Sequence, residues 1–393
     1  MNRALLLLAL CQGFFLTNNV AFIAINGLVG LALAPSAWLA TLPVTAYVAG
    51  SALFAGLVAR HQRAWGRRRA FQVGLLVAIA TTTFCAWAAV HRHFWLVVLG
   101  TTLAGYYNAN AGLYRFAATE IVRPEFKERA ISWVLAGGII GAVAGPNLAR
   151  VTRNLLGVEF AGAYAALALV ALCSLATISW IRFPPLPLPS AAAPGRPLRE
   201  IVMQPVFLVA VCACALGYGV MNLLMAATPI AMAMCSHPFA NTALVLEWHV
   251  LGMFVPSFFT GNLIRRFGAV RVMAAGVVLN VVCIAVALSG VELERFLIAL
   301  FTLGVGWNFL FIGGTSLVTT AYRPEEKTRA QAAMDTTIFT TMTITSFSSG
   351  ALVTTQGWTW LNIGSIVPVA LTAAALAWFA ARRRTELRIR RAA

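Results

Sequence analysis

Twelve long apolar stretches, separated by charges or turn residues, dominate this chain of 393 residues. They run at about 4–33, 37–59, 70–90, 94–118, 129–151, 160–182, 203–231, 241–264, 270–290, 296–321, 330–353 and 359–381. A helix needs about twenty apolar residues to cross a bilayer, and each stretch reaches that length. Only 10% of the residues are charged, against about 25% in soluble domains. We therefore expect an all-α integral membrane protein with twelve transmembrane helices surrounded by the lipid bilayer.

The positive charge predicts how these helices are oriented. The formal net charge is +17, and 24 of the 29 Lys and Arg residues lie in the N-terminus, in alternate loops or in the tail. Cytoplasmic loops carry an excess of Lys and Arg, so both termini are expected to be cytoplasmic. The opposite loops contain only Arg92, Arg150, Arg153 and Arg295. Because membrane topology accounts for the basic residues, we expect no nucleic-acid partner.

An internal repeat divides the chain into two halves. The sequence RPEFKERA at 123–130 recurs as RPEEKTRA at 323–330, and Asn108 and Asn308 keep the same offset of 200 residues. Span four therefore corresponds to span ten, which predicts two parallel six-helix halves with a transport site between them. The predicted units are an N-terminal half at 1–182, a cytoplasmic linker at 183–202, a C-terminal half at 203–381 and a basic cytoplasmic tail at 382–393. The proline-rich run at 184–189 and the Ser/Ala/Gly stretch that follows it to Arg199 should not form a helix.

Two loops and one helix carry motifs of a known family. WGRRR at 65–69 and GNLIRRFGAVR at 261–271 resemble the loop signature of the major facilitator superfamily, although Arg265 stands where an Asp is usual. Gly141, Gly145 and Pro146 resemble its Gly-Pro motif, in which small residues permit close helix contact. The resemblance covers the whole chain and implies the major facilitator fold and a transporter rather than an enzyme.

Methionine and histidine in spans seven and eight suggest a metal site. All methionines other than Met1 occur at or after Met203. Met221 and Met225 are four residues apart, as are His249 and Met253, so each pair shares a helix face. The predicted helix ends place Met225 level with His249, about 10 Å from the outer surface, and the other two residues one turn deeper. Thioether sulfur and imidazole nitrogen are ligands that suit Cu(I).

Further candidates lie at the outer end of span seven and within other spans. Met232, Met234, Cys235 and His237 could collect a metal ion at the outer mouth, although methionine is also ordinary core filler. An ionisable group inside a membrane span often has a functional role. Asp335 could carry a coupling proton or pair with Arg329 at a helix end. Arg115 could act in gating, or pair with Glu120 or another carboxylate.

The Met and His pairs resemble those of the CcoA-type copper importers of bacteria, in which Cys235 matches a functionally relevant cysteine. This resemblance implies copper import across the bacterial inner membrane, with delivery to a cytosolic or membrane copper acceptor for cytochrome oxidase assembly. Copper is then the transported substrate, and no cofactor is expected.

Two other functions remain open at this point. The first is import of an organic solute such as riboflavin, whose ring could stack on aromatic residues of spans four and ten, including Trp307. The second is a membrane copper sensor that does not transport, although a long cytosolic signalling domain would then be expected. No Gly-x-x-x-x-Gly-Lys-Ser/Thr sequence supports ATP-driven pumping.

Overall fold

The computed structural model describes residues 3–123, 126–184 and 195–392, and every regular element in these ranges is helical. The α-helices are α1 (Arg3–Leu33), α2 (Leu42–Val90), α3 (Phe94–Ala111), α4 (Tyr114–Glu120), α5 (Lys127–Thr152), α6 (Ala161–Ser179), α7 (Leu198–Val202), α8 (Pro205–Met234), α9 (Phe239–Phe254), α10 (Ser257–Phe267), α11 (Ala269–Leu288), α12 (Leu293–Val318), α13 (Lys327–Thr355) and α14 (Gly357–Ala392). Short 3-10 turns at Ala37–Leu39 and Pro324–Glu326 precede α2 and α13. The predicted all-α fold class is confirmed.

Helix α2 contains two of the predicted spans. Its 49 residues would extend about 74 Å as one helix, more than twice the hydrocarbon thickness. The backbone breaks at Gly66, where φ is 76° and ψ is 168°. Side chains with a Cβ rarely adopt such a positive φ, so glycine allows the reversal between spans two and three.

Other predicted spans consist of two shorter helices. Spans four and eight are interrupted between α3 and α4 and between α9 and α10, the latter pair bending by 41°. Counted by length and hydropathy over the described residues, eight helices could cross a membrane, or nine with the α9–α10 pair. Dividing α2, joining the two interrupted pairs and including the threonine-rich α13 restores the twelve predicted spans.

Asn308 stabilises the interruption in span eight. Its side-chain NH2 donates to the Met253 carbonyl oxygen and to Ser257 Oγ, both at 2.7 Å. The Met253 carbonyl lies next to the break, where backbone groups lack regular helical partners. In the first half, Asn108 donates to Ser51 Oγ at 2.8 Å. The two asparagines of the sequence repeat therefore make similar contacts, from span four to span two and from span ten to span eight.

The linker is only partly as expected. Residues 185–194, which include most of the proline-rich run, lie outside the described residues, as do Pro124 and Glu125 of the repeat. A short helix, α7, begins at Leu198, so the stretch expected to be free of helix ends two residues earlier than the predicted Arg199. Just before α7, the Arg196 side chain forms a salt bridge at 2.7 Å with Glu326, which is completely buried. This contact attaches the end of the linker to the C-terminal half.

The two halves meet most closely at one end of the bundle. We call it the outer end, following the charge-based prediction, and the end with the arginine-rich loops the inner end. Thr41 Oγ1 donates to the Ser346 carbonyl oxygen at 2.8 Å and accepts from the Gly350 N–H at 3.0 Å. Asn147 donates to Glu247 at 2.9 Å. Among the described residues, all hydrogen bonds between the halves lie in the outer part, so the outer end is closed.

Candidate functional site

The four candidate copper ligands are all buried in the C-terminal half. Met221 and Met225 lie on α8, and His249 and Met253 lie on α9. The observed ends of these helices place Met225 nine residues before Met234 and His249 ten residues after Phe239. Both depths are then about 14–15 Å rather than the predicted 10 Å. The two pairs keep the expected matched levels along their helices, closer to the middle of the membrane.

His249 has one nitrogen held and the other without a partner. Its Nδ1 lies 2.7 Å from the Leu300 carbonyl oxygen, which can only accept a hydrogen bond. Nδ1 therefore carries the proton, and Nε2 presents a lone pair. Nε2 is buried and has no hydrogen-bond partner among the described residues. Metal-binding imidazoles commonly have this arrangement, with a carbonyl fixing the remote N–H. The same lone pair could accept a hydrogen bond from an organic solute.

Helix α12 packs against both α8 and α9, far more extensively than those two helices pack on each other. The Cys214 thiol of α8 contacts the Leu310 and Phe311 carbonyl oxygens of α12. Met221 follows Cys214 by seven residues, or about two turns, and so extends from the same face of α8. On the other side, the backbone of α9 from His249 to Met253 packs against Gly304 of α12. The two pairs are thus organised by α12 rather than by direct α8–α9 packing.

The candidate metal ligands near the outer mouth differ in how far they are buried. Met232 is completely buried, whereas Met234 is exposed and Cys235 is partly exposed. His237 is also partly exposed, and its Nε2 lies 2.8 Å from the Val291 carbonyl oxygen. Among residues 3–123, 126–184 and 195–392, no group of three or more His, Cys, Asp or Glu side chains could hold a metal ion. A copper site here would therefore need the methionine sulfurs.

An aromatic cluster connects α8, α9 and α12. The Trp307 ring stacks on Phe311 with centroids 5.0 Å apart, and Tyr218 packs edge-on against both at 5.2 and 5.6 Å. Phe254 approaches Trp307 at 6.4 Å. Trp307 Nε1 is buried and has no hydrogen-bond partner among the described residues. Such rings offer flat surfaces on which a planar solute can stack.

The sequence identified only Trp307 of this cluster. Tyr218 and Phe254 were missed, because aromatic residues are common packing elements in transmembrane helices and their spacing revealed no partner. Their significance comes from the crossing of α8, α9 and α12, which brings side chains that are distant in sequence into contact.

Arg115 of the N-terminal half and Asp335 of the C-terminal half are close enough to influence each other electrostatically. Arg115 on α4 lies within electrostatic reach of Asp335 on α13 and of Tyr218, without an ion pair within 4 Å among the described residues. Both side chains are exposed.

The alternative pairings expected for these two residues do not form. Glu120 makes its salt bridge with Arg67, at 2.6 Å, and not with Arg115. The Arg329 guanidinium donates to the Arg196 carbonyl oxygen at 3.3 Å. The described residues contain no ion pair between Arg329 and Asp335.

Comparison with known proteins gives a consistent family. The family model described as "Major Facilitator Superfamily" matches residues 5–245 and 236–393. A protein of Brucella anthropi named riboflavin transporter RfnT is 39% identical over 363 residues, covering 92% of this chain and 91% of its own length. An uncharacterised major facilitator-type transporter of Bacillus subtilis, YdeG, is 26% identical and covers 94% of this chain and 90% of its own length.

Solved structures share the fold. A bacterial homologue of the iron transporter ferroportin in its inward-facing state has a TM-score of 0.72 and 14% identity, covering 95% of this chain and 98% of its own. The outward-facing state of such a homologue gives a TM-score of 0.65 at 15% identity, with 97% and 100% coverage. At these identities the likeness concerns the fold and not the solute.

Proposed function

This chain belongs to the major facilitator superfamily, and the relatives that it matches are transporters rather than enzymes; we propose that it imports riboflavin or a closely similar flavin. The observation that carries the proposal is the 39% identity to a riboflavin transporter over 92% of this chain. We further propose that it works in the bacterial inner membrane with both termini in the cytoplasm, as the distribution of Lys and Arg favours.

The chemistry of the central residues supports a flavin as the solute. The isoalloxazine ring is planar and apolar along one edge, and has N–H and C=O groups along the other. Tyr218, Trp307 and Phe311 supply ring faces, and Trp307 Nε1 and His249 Nε2 supply an unpartnered donor and an unpartnered acceptor. Buried groups that lack protein partners are costly in a membrane interior, and polar groups of a solute could satisfy either of them.

Alternating access follows from the way the halves meet. Arg115 and Asp335 belong to opposite halves and interact electrostatically without an ion pair, and the hydrogen bonds at Thr41 and Asn147 close the outer end. A rocking motion would break the outer contacts and bring Arg115 towards Asp335. The solute would then be released inward in the present conformation and bound from outside in the opposite one.

Trp307→Leu tests the aromatic part of this proposal. Stacking of a flat ring on an aromatic side chain contributes about 1–3 kcal/mol, so riboflavin affinity should fall about 5- to 150-fold. Binding can be measured on the purified protein from the quenching of flavin fluorescence. Trp378→Leu is the matched control, because Trp378 is an exposed tryptophan of α14. Equal affinities for Trp307→Leu and the wild type would contradict the stacking role.

Copper is a second candidate, favoured by one specific observation. His249 presents a buried Nε2 lone pair with its Nδ1 proton fixed by Leu300, on the same α9 face as Met253. The methionines of α8 lie at matched depth, and sulfur with imidazole suits Cu(I). The copper-binding role of Met221, Met225, His249 and Met253, with Cys235 at the mouth, therefore stays a proposal, as does delivery to a copper acceptor.

The two candidates predict different uptake. Radiolabelled copper and riboflavin should be offered separately to cells that lack their own importers. If copper is the substrate, His249→Leu and Met221→Leu should abolish copper accumulation, whereas Met273→Leu, a buried methionine of α11, should not. Riboflavin accumulation without copper accumulation would reject the second candidate.

A further inference from the structure

A cavity of about 520 Å³ lies at the outer end, on the far side of the closure from the aromatic cluster. Its walls are the last turn of α1, the α2–α3 and α5–α6 loops, the end of α8 and the start of α9. Small-molecule sites typically have volumes of about 300–1,000 Å³. The cavity is therefore large enough for an organic molecule, and both halves of the protein contribute to its walls.

Arg92 gives this cavity an uncompensated positive charge. The Arg92 guanidinium makes no hydrogen bond or ion pair with any described residue and is exposed. The second arginine of the lining, Arg153, is paired with Glu159. The left-handed backbone of Arg92, with φ of 56°, lies in a tight turn between α2 and α3. A free cation in a half-enclosed cavity is suited to an anionic ligand.

The floor of the cavity joins the two halves through aromatic rings. Phe160 of the N-terminal half and Phe239 of the C-terminal half pack edge-on, with centroids 5.1 Å apart. The Arg153 guanidinium lies over both rings, at 5.3 and 5.6 Å. Both rings line the cavity. These contacts require the closed outer end, because an outward-facing conformation separates the two halves at this point.

We propose that this outer cavity is a second binding site, distinct from the central transport site, that takes an organic anion with a planar apolar body. The anionic group pairs with Arg92, and the apolar body lies along the end of α1 and the phenylalanine floor. Because both halves form the cavity only when the outer end is closed, the bound anion favours the inward-facing conformation. The site would therefore inhibit transport from outside, whichever solute the central site carries.

Flavin mononucleotide is a suitable probe, because it combines a planar ring with a phosphate, and riboflavin is the matched molecule without that charge. Binding should be measured on the full-length protein in nanodiscs, with saturating riboflavin present to occupy the central site. We expect saturable binding that weakens as salt rises from 50 to 500 mM, since ionic attraction is screened. Arg92→Gln should weaken it about tenfold or more. Arg92→Lys should retain most of it.

Arg295→Gln is the control variant, because Arg295 is another arginine of the outer loops that does not line the cavity. It should leave binding of flavin mononucleotide unchanged. The proposal is overturned if riboflavin displaces flavin mononucleotide completely, which would place both molecules in the central site. It is also overturned if Arg92→Gln binds flavin mononucleotide as the wild type does, or if Arg92→Gln and Arg295→Gln lose binding equally.

A conformational measurement tests the second part of the proposal. Spin labels at the exposed positions 155 and 234 report the separation of the halves at the outer end. Flavin mononucleotide should increase the population with the short distance, and inorganic phosphate alone should not. An unchanged or longer distance distribution on binding would reject the inhibitory role. Neither experiment requires transport, and the spin-label measurement gives the same answer whichever solute the central site carries.

Discussion

Gly252→Ala tests the close crossing of α9 and α12, which positions His249 and Met253. An added Cβ at position 252 would lie 2.7 Å from the Phe301 carbonyl oxygen, whereas ordinary C···O contacts begin at about 3.3 Å. The obstructing atom belongs to the backbone, so the two helices must separate locally by roughly 0.6 Å. The hydrogen bond from His249 to Leu300, now 2.7 Å, would lengthen towards the limit of a useful interaction.

The expected cost follows from these displacements. Overpacking a tight interior site costs about 1–3 kcal/mol, and weakening the His249 hydrogen bond adds up to about 1 kcal/mol. Replacing glycine by alanine within a helix stabilises the folded state by about 0.5–1 kcal/mol, which offsets part of this cost. We expect a net loss of about 1–3 kcal/mol, a lower melting temperature in detergent, and reduced solute uptake at matched protein levels.

Gly364→Ala is the matched control for this prediction. Gly364 lies within α14 with no heavy atom near its would-be Cβ, so alanine there should leave stability unchanged or slightly raised. If Gly252→Ala melts with the wild type and transports equally well, the close crossing does not position the candidate site, and the reasoning is refuted.

Three other perturbations test separate parts of the account. Thr41→Val should remove the hydrogen bonds to Ser346 and Gly350, weaken closure of the outer end by about 1–3 kcal/mol, and increase labelling of outer-end positions by a membrane-impermeant reagent; unchanged labelling would contradict the role of Thr41. Hydrogen bonds from Arg196 and the Arg323 N–H hold the pKa of Glu326 below its ordinary value of 4.5, so their stabilisation is complete above pH 4.5 and is lost as pH falls towards the lower folded pKa. Glu326→Gln should therefore be less stable than the wild type at neutral pH, and the difference between them should shrink in acid; a constant difference in melting temperature from pH 7 to pH 3 would contradict this. Asn308→Leu should destabilise the break between α9 and α10, since it leaves the Met253 carbonyl without its donor, and a wild-type melting curve would contradict this.

Much of the fold could be predicted because membrane burial imposes a simple rule on the sequence. Every backbone polar group in hydrocarbon needs a partner within its own helix, so each long apolar stretch becomes helical. The 200-residue repeat then gave the two halves. Breaks within spans, as at Gly112 and near Pro256, were harder to predict, because glycine and proline also occur inside continuous membrane helices. The start of α7 at Leu198 was not predicted, because the prolines nearby argue against a helix in this part of the chain.

The candidate site was less predictable, since its residues meet through helix crossings that no local pattern encodes. Four-residue spacing identified the Met and His pairs, but not that α12 lies against both helices. The carbonyl of Leu300 that orients His249 is a backbone group, which carries no sequence signal. The salt-bridge partner of Glu120 was also not evident, because Arg67 lies 53 residues away, immediately after the α2 break.

The most direct test of the central claim is riboflavin uptake by the purified protein in sealed proteoliposomes loaded with unlabelled riboflavin. Exchange of external radiolabelled riboflavin for the internal pool needs only alternating access and a central flavin site, whatever ion drives transport in the cell. We predict rapid accumulation of label in wild-type vesicles and much slower accumulation with Trp307→Leu. Wild-type vesicles that bind no flavin and exchange none, while taking up copper, would contradict the account.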